Sequence, residues 1–221
     1  MFKHIEVDID QLKRKNTENG RRYITPSGAQ YPSVTTILSH KSKPFIDAWK
    51  KRIGEKEANK ISSRAAKRGT SIHKLVEHHL NNLTDLHEEG LNSLDMLDKE
   101  MYLNNMMPLL SDIDNIKCLE ATLYSDHLRL GGQVDCIAEY KGQLSVIDFK
   151  TSNKRKTRSQ CYNYFIQCAA YAIMFEERTG IPINSSVILM AQQDDGPAVF
   201  TATRDEFVPK LLEARDAYEN R

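Results

Sequence analysis

Apolar residues recur along this chain at two different periods, and the change falls near residue 115. Ahead of it the spacing is helical. Phe45, Trp49 and Ile53 return every fourth position and predict a helix over 45–66. Arg68-Gly69-Thr70 reads as a break, with Thr70 capping a second helix over 71–82 whose Ile72, Leu75, Val76 and Leu80 share a face. A third helix is expected over 91–110, ending near Pro108. Pro26, Gly28 and Pro32 punctuate the first stretch, so residues 1–30 read as an extended lead-in of turns and short strands.

Beyond residue 115 the period becomes two. Residues 116–124, 132–140 and 143–150 read as strands, the last two joined by the two-residue turn Lys141-Gly142. A helix over 160–178 should end at Gly180, with Pro182 blocking continuation. Residues 186–192 are apolar enough for a buried strand, and Asp194-Asp195-Gly196 turns into a short strand over 197–202. Thr203 and Glu206 have the spacing of a capping box for a last helix, with Phe207, Leu211, Ala214 and Tyr218 on one face. A helix between the third and fourth strands implies a right-handed crossover that lays the fourth parallel to a neighbour. The expected architecture is one α/β (α+β) domain over 1–221. A helical portion over 1–115 precedes an αβ core over 116–221, whose central mixed sheet is flanked by helices.

Composition narrows the class. The chain has 221 residues, 40% hydrophobic and 28% charged, which suits one soluble globular domain. No apolar run is long enough to span a bilayer, and the first residues lack a secretory leader's apolar segment. Cys118, Cys136, Cys161 and Cys168 form no CxxC pair, so a zinc ribbon is excluded and reduced thiols in a cytosolic or other intracellular protein are expected. Lys+Arg is 31 and Asp+Glu is 30, yet the charges are segregated. Lys41–Arg68 holds ten basic and three acidic residues, and 83–114 holds eight acidic residues and one lysine. Lys150–Arg158 adds five basic residues in nine. Such segregation fits either solvated helix faces or a surface for a polyanion.

Candidate chemistry lies on the hairpin. With Lys141-Gly142 as the turn, Asp135 falls opposite Asp148, and Lys150 shares the Asp148 face. Val134, Ile137, Val146, Ile147 and Phe149 surround the two carboxylates with core-like sequence. Buried opposed carboxylates need a shared proton, a lysine or a divalent cation. His73 and Glu77 are four apart on one helix face, as are Gln167 and Tyr171. For both pairs a purely structural role stays open.

Gly132-x-x-Asp135, Asp148-Phe149-Lys150-Thr151-Ser152 and Gln167-x-x-x-Tyr171 together resemble the RecB-like branch of the PD-(D/E)xK nuclease superfamily. Arg68-Gly69-Thr70-x-x-His73 matches that branch's upstream motif. Tyr31 to Leu38, with Trp49 after it, is similar to the mitochondrial genome maintenance exonuclease group and to small bacteriophage exonucleases. The resemblance implies a restriction-endonuclease-like core and a DNA exonuclease acting on single strands or free ends in replication, recombination or repair. It implies Mg²⁺ or Mn²⁺ held by His73, Asp135, Asp148 and the Phe149 carbonyl, with Glu77 and Glu120 as auxiliaries. Lys150 would act on the attacking water, and Gln167 and Tyr171 would support it. DNA contacts would come from Ser33, Thr35, Thr36, Trp49, Arg68, Thr151, Ser152, Lys154 and Arg155, with helices over 45–110 arching above the site. Neither an iron–sulfur cluster nor a nucleotide cofactor is expected. Replication or recombination proteins are expected as partners, no membrane is, and a bacterial or phage-infected cytoplasm is the expected setting. A structure-specific endonuclease, an RNA nuclease and a non-catalytic DNA-end-binding module are the alternatives.

Overall fold

The computed structural model describes residues 1–220. The chain opens, as the punctuation of residues 1–30 predicts, with short strands: a small antiparallel sheet of β1 (Lys13–Thr17), β2 (Gly20–Ile24) and β3 (Gln30–Pro32), in that order. Helix α1 (Val34–Ile53) follows at once, because Ser33 is extended and its hydroxyl accepts from Thr36 N–H. Its last turn carries Lys50, Lys51 and Arg52, cations suited to the negative end of the helix dipole. Gly54 ends it at φ 88°, a conformation open to glycine and strained for other residues.

Helix α2 (Glu55–Leu80) then runs unbroken for 26 residues. The break expected at Arg68-Gly69-Thr70 is therefore at Gly54 instead. Gly69 lowers helix propensity by about 1 kcal/mol relative to alanine. The buried stripe of Arg68, Ile72, Leu75, Val76 and Leu80 carries the helix through it. The single helix expected over 91–110 is a series of short pieces: α3 (Thr84–Asn92), α4 (Met96–Met101), a π-helical turn at Tyr102–Met106, and α5 (Met107–Leu110). Asp95 caps α4 through the Asp98 amide, and Pro108 sits in the first turn of α5, where it starts a helix rather than ending one.

The second half follows the sequence reading closely. Strands β4 (Ile113–Ser125), β5 (Leu130–Tyr140), β6 (Gln143–Ser152), β7 (Ser185–Gln192) and β8 (Gly196–Thr203) form one sheet in sequence order. Only β6 and β7 are parallel, joined across α6 (Tyr162–Thr179). The β5–β6 turn has Lys141 at φ 52° and Gly142 at φ 78°, two positive values as a tight hairpin requires. Gly180 caps α6 in the left-handed region. Thr203 begins α7 (Arg204–Glu219) without a side-chain cap, and Glu206 pairs with Arg158 instead, so the expected capping box does not form.

The sheet is covered on both faces. One layer packs Phe165, Ala169, Phe175, Leu211 and Tyr218 of α6 and α7, with Val34 and Ile37 of α1, against Val134, Val146 and Ile188. The other packs Ile72, Val76, Tyr102 and Met106 against Cys136, Ile147, Phe149 and Leu189. This is the expected mixed sheet flanked by helices. All four cysteines are free and buried.

Candidate active site

Alternation along β4 and β5 slips at one level of the sheet. Leu119 packs in one layer but Ala121 and Leu123 in the other; Val134 lies in one layer but Cys136 and Ala138 in the other. Strict period two would keep each set on one face. The residues at the slips are Glu120, at φ 48°, and Asp135. They fall opposite each other, between the pairs Leu119↔Cys136 and Ala121↔Val134. Paired irregularities of this kind re-aim side chains where a regular ladder would not.

The β5–β6 ladder obeys the expected register from Tyr140↔Gln143 to Cys136↔Ile147 and is regular no further. At the next step Asp135 Oδ2 accepts the Phe149 N–H at 3.0 Å, replacing a strand partner with a carboxylate. Asp148 remains in register with Ile188 of β7 and is 2% exposed.

Around this point five side chains converge. Lys150 Nζ is 2.5 Å from Asp148 Oδ2 and 3.8 Å from Asp135 Oδ2. His73, on the inner face of α2, places Nδ1 3.7 Å from both Glu120 Oε1 and Asp135 Oδ2. Its Nε2 is 2.7 Å from the Phe149 carbonyl, which also accepts from Lys150 at 3.3 Å. Gln133 holds Glu120 through the backbone carbonyl and the carboxylate, each at 3.0 Å.

Burial pushes the Asp148 carboxyl up to about 6, against the pull of Lys150. Burial disfavours the Lys150 ammonium too, but Asp148 and Asp135 outweigh it and hold the group charged above its ordinary range. Burial also opposes a charged His73, and again Asp135 and Glu120 prevail and raise its proton affinity. The Lys150 and His73 shifts report carboxylates that attract positive charge, and the Asp148 shift reports burial.

The residues fit a hard divalent cation. Among the described residues buried Asp148 Oδ1 has no hydrogen-bond donor and Oδ2 meets only the Lys150 ammonium, which leaves acceptor capacity free. Ligand atoms of His73, Glu120 and Asp135 lie within 4.8 Å of one another, and carboxylate oxygens are the donors such ions prefer.

The remaining expected residues divide. Tyr171 is buried, and Gln167 donates to its hydroxyl at 3.2 Å rather than reaching Lys150. The Tyr171 ring lies so close to Gly132 that a Cβ there would collide with it, which accounts for glycine. Arg68 is buried and bonds Thr151 Oγ1 at 3.4 Å and Asn153 Oδ1, tying α2 to the chain just after Lys150. Ser33 is buried as the α1 cap, while Thr36 Oγ1 accepts the Arg21 amide at 3.1 Å. Thr35 is exposed, Trp49 is half-buried on α1, and Lys154 and Arg155 lie exposed after β6, Arg155 near Asp195. Ser152 closes a local turn onto Lys154. Glu77 makes no side-chain hydrogen bond or ion pair with a described residue.

Sequence reasoning missed Tyr164, whose ring centroid is 5.1 Å from Lys150 Nζ. It also missed Gln133. The signal for Tyr164 was an aromatic three residues before Gln167, on the same side of the helix; for Gln133 there was none short of the slip.

These carboxylates, with their lysine and histidine on a mixed sheet, describe a phosphodiesterase-type cation site. A profile of the PD-(D/E)XK nuclease superfamily matches residues 48–219, and the chain belongs to that superfamily. The coarse class is thus a nuclease. The chain is 30% identical to mitochondrial genome maintenance exonuclease 1 of Mus musculus and of Homo sapiens over 178 residues, 76% of this chain and 51% of each relative. It is 32% identical to the Xenopus tropicalis protein of the same name over 184 residues, 76% of this chain and 50% of that one. The chain therefore spans about half the length of the curated relatives it matches. A solved Eubacterium rectale protein described as a candidate exonuclease aligns with TM-score 0.45 at 11% identity, over 70% of this chain and 68% of that one. No helix among the described residues is long and apolar enough to cross a membrane.

Proposed function

We propose that the protein is a divalent-cation-dependent DNA exonuclease working from free ends, with single strands its preferred substrate. The observation that carries this reading is the convergence of Glu120, Asp135, Asp148, Lys150 and His73 on one point. Asp135, Asp148 and His73 would hold Mg²⁺ or Mn²⁺, with Glu120 and the Phe149 carbonyl beside them. The ion, when bound, supplies a more acidic water and an electrostatic partner for phosphate charge. Lys150 contributes a fixed positive charge to orient the attacking water and to offset charge on the phosphate. The neighbouring Tyr164 ring restrains its ammonium.

The strand path is read from the helical arm. Between residues 41 and 67 most side chains of α1 and α2 are exposed, eight basic residues among them. Phe45 stands 77% exposed there, a flat face suited to a base. Because α2 is one helix, the arm is rigidly coupled to His73 about 27 Å beyond its start. An arm that encloses the strand would admit an end and not a closed circle. Work in replication, recombination or repair fits such an activity.

The test uses end-labelled linear single-stranded DNA and its covalently closed circle, each with Mg²⁺, Mn²⁺ or EDTA, for wild type and Lys150→Ala. Loss of the linear strand alone, requiring both cation and Lys150, is expected. Nicking of the circle would replace the reading with an endonuclease. Binding without cleavage would replace it with an end-binding module.

A further inference from the structure

The short sheet at the N-terminus is as basic as the helical arm, and the catalytic site does not use it. Strands β1 and β2 have ten residues, of which five are Lys13, Arg14, Lys15, Arg21 and Arg22. Lys15 stands opposite Arg22, and Arg14 opposite Tyr23. Like charges placed directly across a ladder repel. Among the described residues none of the five forms an ion pair; Arg22 alone has a side-chain bond, to the Gln30 carbonyl at 2.9 Å. Glu18, in the turn, is the acid nearest in sequence and it neutralises none of them. A lysine or two blunts an edge strand against aggregation. Five uncompensated cations on both strands exceed that need, and together they set up a local positive field that attracts an anionic partner.

The position of the hairpin says what that is. Buried Tyr23 lies against Gly131, four residues or roughly 13 Å along β5 from Asp135. Opposite residues share a face, so Arg14 and Arg21 extend the face on which Tyr23 sits. The Arg21 backbone is also clamped to the start of α1 by Ser33 and Thr36. The hairpin is thereby fixed on the β5 side of the candidate site and tied to the start of α1.

We propose that the β1–β2 hairpin is a second, sequence-independent surface for the phosphate backbone of the substrate nucleic acid. It holds the part of the strand that lies beyond the candidate active site. Arg14 and Arg21 on the Tyr23 face, with Lys15 on the other face of the edge strand β1, are its exposed contacts, and its work is affinity and retention rather than chemistry. The proposal rests on the nuclease reading above, but its test does not need cleavage.

The experiment compares the full chain with an Arg14→Ala, Lys15→Ala, Arg21→Ala triple variant, both carrying Lys150→Ala. Fluorescence anisotropy in EDTA measures binding of single strands of about 5 and about 30 nucleotides across a salt series. The long strand should bind the triple variant more weakly, with a log–log salt slope smaller by about 2, near 0.7 for each lost phosphate contact. The short strand should bind both proteins alike. Matching circular dichroism and melting curves exclude misfolding as the cause, and a lone Arg14→Glu variant repeats the comparison if the triple variant fails to fold. Equal salt slopes for the long strand would overturn the proposal, as would tighter capture of phosphatidylserine vesicles than of DNA. Failure of the nuclease reading is scored separately, as no cleavage by the protein with Lys150 intact while the binding difference persists.

Discussion

Two regions handle charge in opposite ways. At the centre of the sheet, charge is buried and over-determined: Asp148 is 2% exposed, and each of its neighbours is held by a strand, a bulge or a hydrogen bond. On the helical arm, charge is exposed and few contacts hold it. The contrast matters because the two jobs differ. A group that meets a cation and a scissile phosphate must be placed to within a fraction of an ångström. A group that meets a polyanion need only be near it, and flexible lysines suffice.

The contrast breaks first, and by the largest effect, if the central groups are dispensable. Lys150→Ala or Asp148→Ala should lower cleavage at least about a hundredfold, measured as initial rate on end-labelled DNA. Folding is checked by circular dichroism, for Lys150→Ala with Mn²⁺ present, since the cation offsets the missing positive charge. A wild-type rate in either variant would move the chemistry elsewhere. Next in size is Gly132→Ala, which forces a methyl group against the Tyr171 ring. Overpacking of this kind costs about 1–3 kcal/mol, or roughly 2–4 °C per kcal/mol in melting temperature. An unchanged Tm would mean that Tyr171 moves freely and is not the wall behind the site.

A third test uses protons against the cation. Asp148 has its carboxyl raised to about 6, and His73 has its proton affinity raised as well. Asp148 takes up its proton as the pH falls through about 6 and His73 takes up its own more readily than an ordinary imidazole, and a protonated group is a poorer ligand. The Mn²⁺-induced rise in Tm should therefore be full near pH 7.5 and shrink on acidification through about pH 6. The same group acts on the metal-free protein in the opposite direction. A folded-state value above the unfolded one of about 3.9 means stability lost as pH rises from about 4 to 6. A Mn²⁺ shift independent of pH would separate the cation from Asp148 and His73. Smallest in its effect on the fold is Lys50→Ala with Lys51→Ala and Arg52→Ala on the arm. Each exposed change should alter stability by no more than about 0.5 kcal/mol, while KM for long DNA rises and its salt dependence weakens.

The same two regions differ in how far they could be read in advance. Register along β5 and β6, the turn at Lys141-Gly142, the Gly180 cap and the buried face of α7 all follow from local rules, and all are present. The arm was misread. Gly69 and Gly54 are both glycines among polar residues, and nothing local says which one stops a helix. The answer came from packing: Arg68, Ile72 and Val76 meet the rest of the fold, and the turn around Gly69 is held straight by them.

What the sequence alone determined is therefore the inventory and the neighbourhood of the site. Period-two patterning and a two-residue turn fixed the Asp135, Asp148 and Lys150 strands in register, because a ladder one residue out of step would put apolar side chains in water. What only the tertiary structure decided is the aim of those groups. The opposed slips at Glu120 and Asp135, the capture of the Phe149 amide by a carboxylate, and the arrival of His73 from a helix 62 residues before Asp135 depend on layers packing against both faces of the sheet. No local pattern encodes those layers. They form because burial of the two apolar faces outweighs the loss of a few ladder bonds at the one level where charge collects.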